Sequence, residues 1–140
     1  MEYCIAYLSS STGLLSQHEL ARLLSQSQKS NRASGITGIL LYFNGNIIQV
    51  LEGEEEKVNS LYDTIRQDNR HTHIVQLYRK PITRRSFPDW LMGYKTLSAT
   101  ELNHLTNSLP FLQDPYQQLP KEENVILSLV QLFYHTNYRN

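Results

Sequence analysis

Residues Asn31 to Gly53 read NRASGITGILLYFNGNIIQVLEG, and the fold turns on the Asn44-Gly45 pair at its centre. Asn-Gly between two apolar runs is a strong signal for a two-residue hairpin turn, because both residues tolerate positive φ. The incoming strand is predicted over Thr37 to Phe43 and the outgoing one over Asn46 to Glu52. The outgoing strand is apolar at nearly every position, which suits a central strand covered on both faces. Gln49 is the exception, set among Ile47, Ile48, Val50 and Leu51. A buried primary amide needs partners for two donors and an acceptor. Backbone groups in a sheet are already engaged, so the partner is another side chain or a ligand.

Upstream, Glu2 to Leu8 is predicted as a first strand, with Tyr3, Ile5 and Tyr7 on one face and Cys4, Ala6 and Leu8 on the other. Ser16 and Glu19 have capping-box spacing for a following helix. That helix carries Leu20, Leu23 and Leu24 on an inward stripe that continues through Ser27 to Asn31. A stripe that turns polar is either a helix end emerging into solvent or the wall of a pocket. Gly35 suits termination of the helix.

Downstream, Glu54-Glu55-Glu56 puts acidic charge where the dipole of a second helix favours it. Val58, Leu61, Tyr62 and Ile65 form its inward stripe, and Asp68 falls one turn further on. Asn69-Arg70-His71 makes the exit, Ile74 to Tyr78 a fourth strand, and the basic RKPITRRSFPD connection is expected to be a solvated loop. Trp90 to Leu97 can form a fifth strand, with Trp90, Met92 and Tyr94 on one face. The order βαββαββ is that of an α+β, ferredoxin-like sandwich with a five-stranded mixed sheet and two helices on one face. Ser98 to Leu109 is compatible with a short helix, Pro110, Pro115 and Pro120 punctuate a loop, and Lys121 to His135 is predicted as a helix with a broad apolar face. Packing these C-terminal helices on the second, equally apolar face of the sheet, or on a partner subunit there, gives both surfaces a home.

At 140 residues the chain is long enough for one good core. Thirteen Lys and Arg balance thirteen Asp and Glu, so neither nucleic acid nor an anionic membrane is an obvious partner. No apolar run has the length of a membrane span, and MEYCIAYLSS lacks signal-peptide features, so a cytoplasmic protein is expected. The single cysteine, Cys4, excludes an internal disulfide and reads as a small core residue.

Strands one and three are neighbours in a ferredoxin-like sheet, so Tyr7 and Gln49 can lie opposite one another with Cβ atoms about 5 Å apart. Ser27, Asn31 and Asp68 would border the space above them, and the fifth strand would bring Trp90 and Met92 to the same neighbourhood. A planar molecule with a polar edge fits such a slot, its edge read by Asn31 and Gln49. Arg70 and His71 could then reach a phosphate or a ribityl chain.

Tyr7, the run NRASGITG over Asn31 to Gly38, Gln49 within NGNIIQVLEG, Asp68-Asn69-Arg70-His71 and Trp90-Leu91-Met92 together resemble the BLUF domain, a blue-light sensor that uses flavin. The resemblance covers Glu2 to Leu97 and implies a photosensor domain over 1–97, followed by a helical extension over 98–140, as in the short stand-alone class. One position departs: Ser30 stands where the family often has Asn or His, which shortens the reach to one flavin carbonyl. The resemblance implies FAD as ligand, with FMN or riboflavin accepted, held by Leu23, Ser27, Asn31, Gln49, Asp68, Arg70 and His71. It implies that excited flavin takes an electron from Tyr7 while a proton follows through the Gln49 amide, which can donate and accept. Recombination would leave a rearranged amide, by rotation, tautomerisation or both, and a red-shifted flavin. Trp90 and Met92 would couple that change to the C-terminal helices, a homo-oligomer and a downstream regulatory partner resembling a response regulator, where a few kcal/mol switch a two-state interface.

An enzyme is disfavoured because no nucleophile–base–orienter set is visible. His71 and His73 are too few for a metal site. The rival is a light-independent ferredoxin-like binding module, since βαββαβ also describes the RNA-recognition fold. That fold displays aromatic and basic residues on its central strands, and NIIQVLEG has neither.

Overall fold

The hairpin forms as its turn chemistry requires. Phe43 lies opposite Asn46 in antiparallel pairing, and Gly45, with φ 80°, supplies the left-handed turn. A computed structural model describes residues 1–11, 17–43, 45–67, 71–98, 100, 101 and 103, with only the backbone of 11, 17 and 71–73. Ser16, Asn44, Asp68, Arg70, the side chain of His71 and the helix expected over Lys121 to His135 lie outside the described residues. In chain order the elements are β1 (Glu2–Ser11), α1 (Gln17–Ser34), β2 (Thr37–Phe43), β3 (Asn46–Glu54), α2 (Glu55–Arg66), β4 (His71–Pro81) and β5 (Gly93–Thr96). β1, β3 and β4 run longer than expected, and β5 begins three residues later than Trp90.

The sheet order is β4-β1-β3-β2-β5, antiparallel except where β5 joins β2 in parallel. This is the mixed five-stranded ferredoxin-like sheet, with β3 at its centre. Alternation along the strands divides the core. Ile5, Tyr7, Leu40, Ile47 and Leu51 meet Leu20 of α1 and Val58 and Tyr62 of α2 on the helix side. On the reverse side lie Cys4, Ala6, Ile39, Leu41, Phe43, Ile48 and Val50. Gly35, φ 70°, ends α1 as expected, and the first turn of α2 carries Glu55 and Glu56.

The connection from β4 to β5 is only in part the solvated loop expected: Thr83, Arg84, Pro88 and Asp89 are exposed, but Phe87 is not. Arg79, Lys80 and Pro81 belong to β4, and the strap over 82–92 lays Phe87, fully buried, on the reverse side. An apolar sheet face supplies the driving force: burying a Phe side chain stabilises by about 1.5–3 kcal/mol. The strap also answers a buried carboxylate. Glu52 points to the reverse side, 1% exposed, and its two oxygens accept the Ser86 and Phe87 N–H groups at 2.8 and 2.7 Å. Beside them Arg85 donates to both oxygens of Glu2, at 2.8 and 3.2 Å, and to the Gly35 carbonyl at 2.9 Å.

At the far end, Ser98 and Glu101 exchange reciprocal bonds, Ser98 N–H to the Glu101 carboxylate at 3.1 Å and Glu101 N–H to Ser98 Oγ at 3.2 Å. This capping box opens a helical segment at Thr100. Lys95 of β5 pairs with Glu101 at 3.0 Å, tying that helix start to the edge strand.

Burial pushes the Glu52 carboxyl above its ordinary value, although the Ser86 and Phe87 N–H groups and Arg85 pull it down. Cys4, buried on the adjacent strand, is pushed up by burial and then by the Glu52 charge. Glu52 therefore holds its proton more tightly folded than unfolded, so its contribution favours the native state as pH falls toward the ordinary glutamate value of 4.5. The difference in melting temperature between the natural chain and Glu52→Gln should thus move in favour of the natural chain between about pH 7.5 and about pH 5. An unchanged difference across that window would show that Glu52 titrates normally.

Candidate functional site

Tyr7 of β1 and Gln49 of β3 are register partners on the helix side. Both are buried, and the Tyr7 hydroxyl donates to Gln49 Oε1. The Gln49 Nε2 group faces Met92 Sδ at 3.4 Å, a soft and weak acceptor. Two polar groups in an apolar layer thus satisfy each other first, and among the described residues the amide N–H side meets only a sulfur.

Above them α1 and α2 separate into a cleft of about 140 Å³. Leu23, Gln26, Ser27, Ser30 and Asn31 form one wall, Leu61, Thr64 and Ile65 the other, and Leu40 and Gln49 the floor. The stripe that turns polar along α1 is therefore a pocket wall. Asn31 is 1% exposed, and its Nδ2 donates to the Leu91 carbonyl at 2.5 Å. Among the described residues, its Oδ1 accepts no hydrogen bond. A buried acceptor facing a cleft costs desolvation energy unless a ligand supplies a donor.

That donor set fits a flavin. Its imide edge offers one N–H between two carbonyls, and the Asn31 amide offers an acceptor beside a donor. The Gln49 amide can reach the same edge, and Leu23, Leu40, Leu61 and Ile65 can flank a flat ring. Ser27 lines the cleft as expected. Leu91 and Met92 are held from outside by Asn31 and by Gln28, whose Nε2 donates to the Met92 carbonyl at 3.3 Å.

Trp90 and Met92 both precede β5 and differ in burial. Met92 is buried against Gln49, whereas the Trp90 side chain is 37% exposed and its carbonyl accepts the Gly38 N–H at 2.8 Å. β5 itself starts only at Gly93. His71 opens β4 opposite Ser11, and only its backbone is described.

Tyr62 was legible as a core residue but not as part of the site. Its ring lies 5.5 Å from that of Tyr7, and the guanidinium groups of Arg66 and Arg79 sit 5.7 and 5.6 Å from its centroid. Burial raises the Tyr62 phenol above its ordinary value, opposed by those two cations. Cations over the ring also disfavour removal of an electron from it.

A helix-walled cleft on a ferredoxin-like sheet, with Gln49 on its floor, Tyr7 bonded to that amide and Asn31 in its wall, has the donor and acceptor set of a flavin-binding class of protein. Residues 3–93 match the model of the BLUF family, "Sensors of blue-light using FAD". The chain belongs to the BLUF family: it is a blue-light photoreceptor domain in signal transduction, and its cofactor is FAD. Photoactivated adenylate cyclase subunit beta of Euglena longa is 37% identical over 118 residues, 84% of this chain and 13% of that protein. The chain thus spans about an eighth of that relative's length. Among solved structures, BlsA in its photo-activated state superposes with a TM-score of 0.80 at 28% identity, covering 94% of each chain. The BLUF protein BlrB in its dark state gives 0.73 at 26% identity, covering 96% of each. None of the described helices is long and apolar enough to cross a membrane.

Proposed function

We propose that the chain senses blue light through proton-coupled electron transfer from Tyr7 by way of Gln49, and passes the change through the strap and β5 to a regulatory partner. The observation that carries this reading is the hydrogen bond from the Tyr7 hydroxyl to Gln49 Oε1 on the floor of the cleft. Bound FAD supplies the absorption of blue light and, once excited, a strong oxidant. Tyr7 gives up an electron, and its phenolic proton has an acceptor already in place at Gln49 Oε1. The amide can take a proton on oxygen and release one from nitrogen, so it serves as a relay. Electron and proton then return to Tyr7, leaving no net oxidation but an amide rotated or tautomerised. Met92, in contact with Gln49 Nε2, meets the rearranged amide first.

Residues 98–140 carry the output in this reading, because Lys95 of β5 already grips Glu101 at the start of that segment. The partner is a regulatory protein resembling a response regulator, and a second copy of the chain shares the surface. The chain itself acts as a sensor and not as an enzyme, in the cytoplasm. Absorption spectra before and after blue illumination test the reading. The purified protein should be yellow, with flavin released on denaturation, and should show a red shift that decays in the dark. Light-fast absorption would sink it and favour a light-independent flavin-binding module.

Asn31→Ala removes the buried Oδ1 acceptor and the donor to Leu91. Flavin affinity should weaken by about 1–3 kcal/mol while the fold survives, which titration of the apoprotein with FAD would measure. Undiminished affinity would place Asn31 outside the flavin contacts.

A further inference from the structure

The strap is held at both ends, on opposite sides of the sheet. At one end Ser86 and Phe87 donate to Glu52 on the reverse side. At the other, Asn31 holds the Leu91 carbonyl and Gln49 touches Met92 on the helix side. Between them the Gly38 N–H fixes the Trp90 carbonyl at the β2 edge. Glu52 and Gln49 are three residues apart on the central strand, so one strand grips both ends of the strap.

A carboxylate is an unusual choice for the reverse-side grip. Its cross-strand partners are Cys4 and Thr37, and burial disfavours its charge. Arg85, the nearest cation in the strap, pairs with Glu2 of β1. What a carboxylate offers is two acceptors at once, matched to two successive N–H groups. A glutamine would accept one and turn an NH₂ group against the other. An apolar residue would accept neither and leave both N–H groups buried without partners.

We propose that Glu52 is a positioning residue of the light response: its carboxylate clamps the strap to the reverse side and so fixes where the strap presents Met92 to Gln49. The proposal rests on the Tyr7–Gln49 reading. A strap clamped at 86 and 87 cannot follow Met92 freely when the amide rearranges. The displacement is therefore delivered along the strap to the reverse side and to β5. With the clamp loosened, Met92 moves with the amide and the displacement is absorbed locally.

Trp90, the single tryptophan of the chain, lies within the strap and reports on it. The experiment uses the full FAD-loaded chain and records the flavin red shift, the light-induced change in Trp90 emission and the dark-recovery rate. Glu52→Gln should keep the dark spectrum and the size of the red shift. Its Trp90 response should fall, and its recovery rate change, by about threefold or more, the scale on which residues between two sites modulate coupling. Glu52→Asp, which keeps the carboxylate, should restore part of both. A Trp90 response and recovery rate in Glu52→Gln equal to those of the natural chain would overturn the proposal. Should Glu52→Gln fail to fold, amide exchange in the natural chain decides. The Ser86 and Phe87 N–H groups should be protected in the dark and exchange faster in the light, and equal protection in both states would overturn the clamp. If the natural chain shows no red shift, the photochemical reading fails, while dark protection of those two amides still reports whether Glu52 holds them.

Discussion

Tyr7→Phe and Gln49→Leu should both give folded, yellow proteins in which the normal red-shifted state is lost. Tyr7→Phe removes one oxygen from a fully buried ring, so packing changes little. It deletes the oxidisable phenol and leaves Gln49 Oε1 without its donor, a cost of about 1–3 kcal/mol. Gln49→Leu keeps volume but removes the relay, the acceptor for Tyr7 and the contact to Met92 Sδ. The dark spectra should separate the two variants, since only Gln49→Leu deprives the flavin of an amide partner. Absorption under blue light followed by dark recovery measures both effects. A full, thermally reversible shift in either variant would disprove the relay. Trp90, expected from the sequence in the same neighbourhood, is partly exposed and sits on the strap. Tyr62, with its ring 5.5 Å from Tyr7, is then the donor to remove next, although Arg66 and Arg79 oppose its oxidation.

Gly38→Ala should abolish folding outright. A Cβ at position 38 would lie 1.8 Å from the Val50 carbonyl oxygen and 2.8 Å from its carbon. Both are backbone atoms of the central strand, so no rotamer change relieves the overlap. β2 would have to part from β3 between Thr37 and Ile39, where the Gly38 N–H also fixes the strap at Trp90. The loss should exceed about 4 kcal/mol, in the range reserved for core overlap. Thermal melts and flavin content of the soluble fraction measure it. A folded, flavin-loaded Gly38→Ala protein with a near-normal melt would show that the two strands can shift apart at little cost.

The centre of the fold was legible because local rules and burial agree there. Asn44-Gly45 set the β2–β3 register, and a period of two put Tyr7 and Gln49 on the same side. The period of 3.6 along α1 led from Leu20 through Ser27 to Asn31. Resolving that stripe into a pocket wall needed the second helix, which no single-helix pattern contains. The strap stayed hidden for a different reason. Phe87 stands between Arg84-Arg85-Ser86 and Pro88-Asp89, without periodicity, and composition there points to solvent. Its anchor, Glu52, is the last residue of the strand predicted from the sequence, whereas β3 continues to Glu54. A buried carboxylate of this kind is satisfied by backbone N–H groups more than thirty residues away, and backbone donors leave no mark in a sequence. The strand boundary differs for a local reason: period-two alternation extends back to Trp90 in the sequence, whereas β5 pairs only from Gly93.

β4 and β5 follow one another in the chain yet occupy opposite edges of the sheet. Four inter-strand gaps of about 4.8 Å separate those edges, a crossing of about 19 Å. Residues 82–92 span it with slack, since eleven extended residues reach about 36–40 Å. The span of each closure follows from this connectivity. The hairpin is local, β1 closes on β3 over some forty residues, and β5 meets β2 over about fifty residues and only by way of the strap. With four residues and one neighbour, β5 is also the strand whose departure disturbs least of what was built before it. The last described strand is thus the first that can leave, and it is the piece joined to the capping box at Ser98.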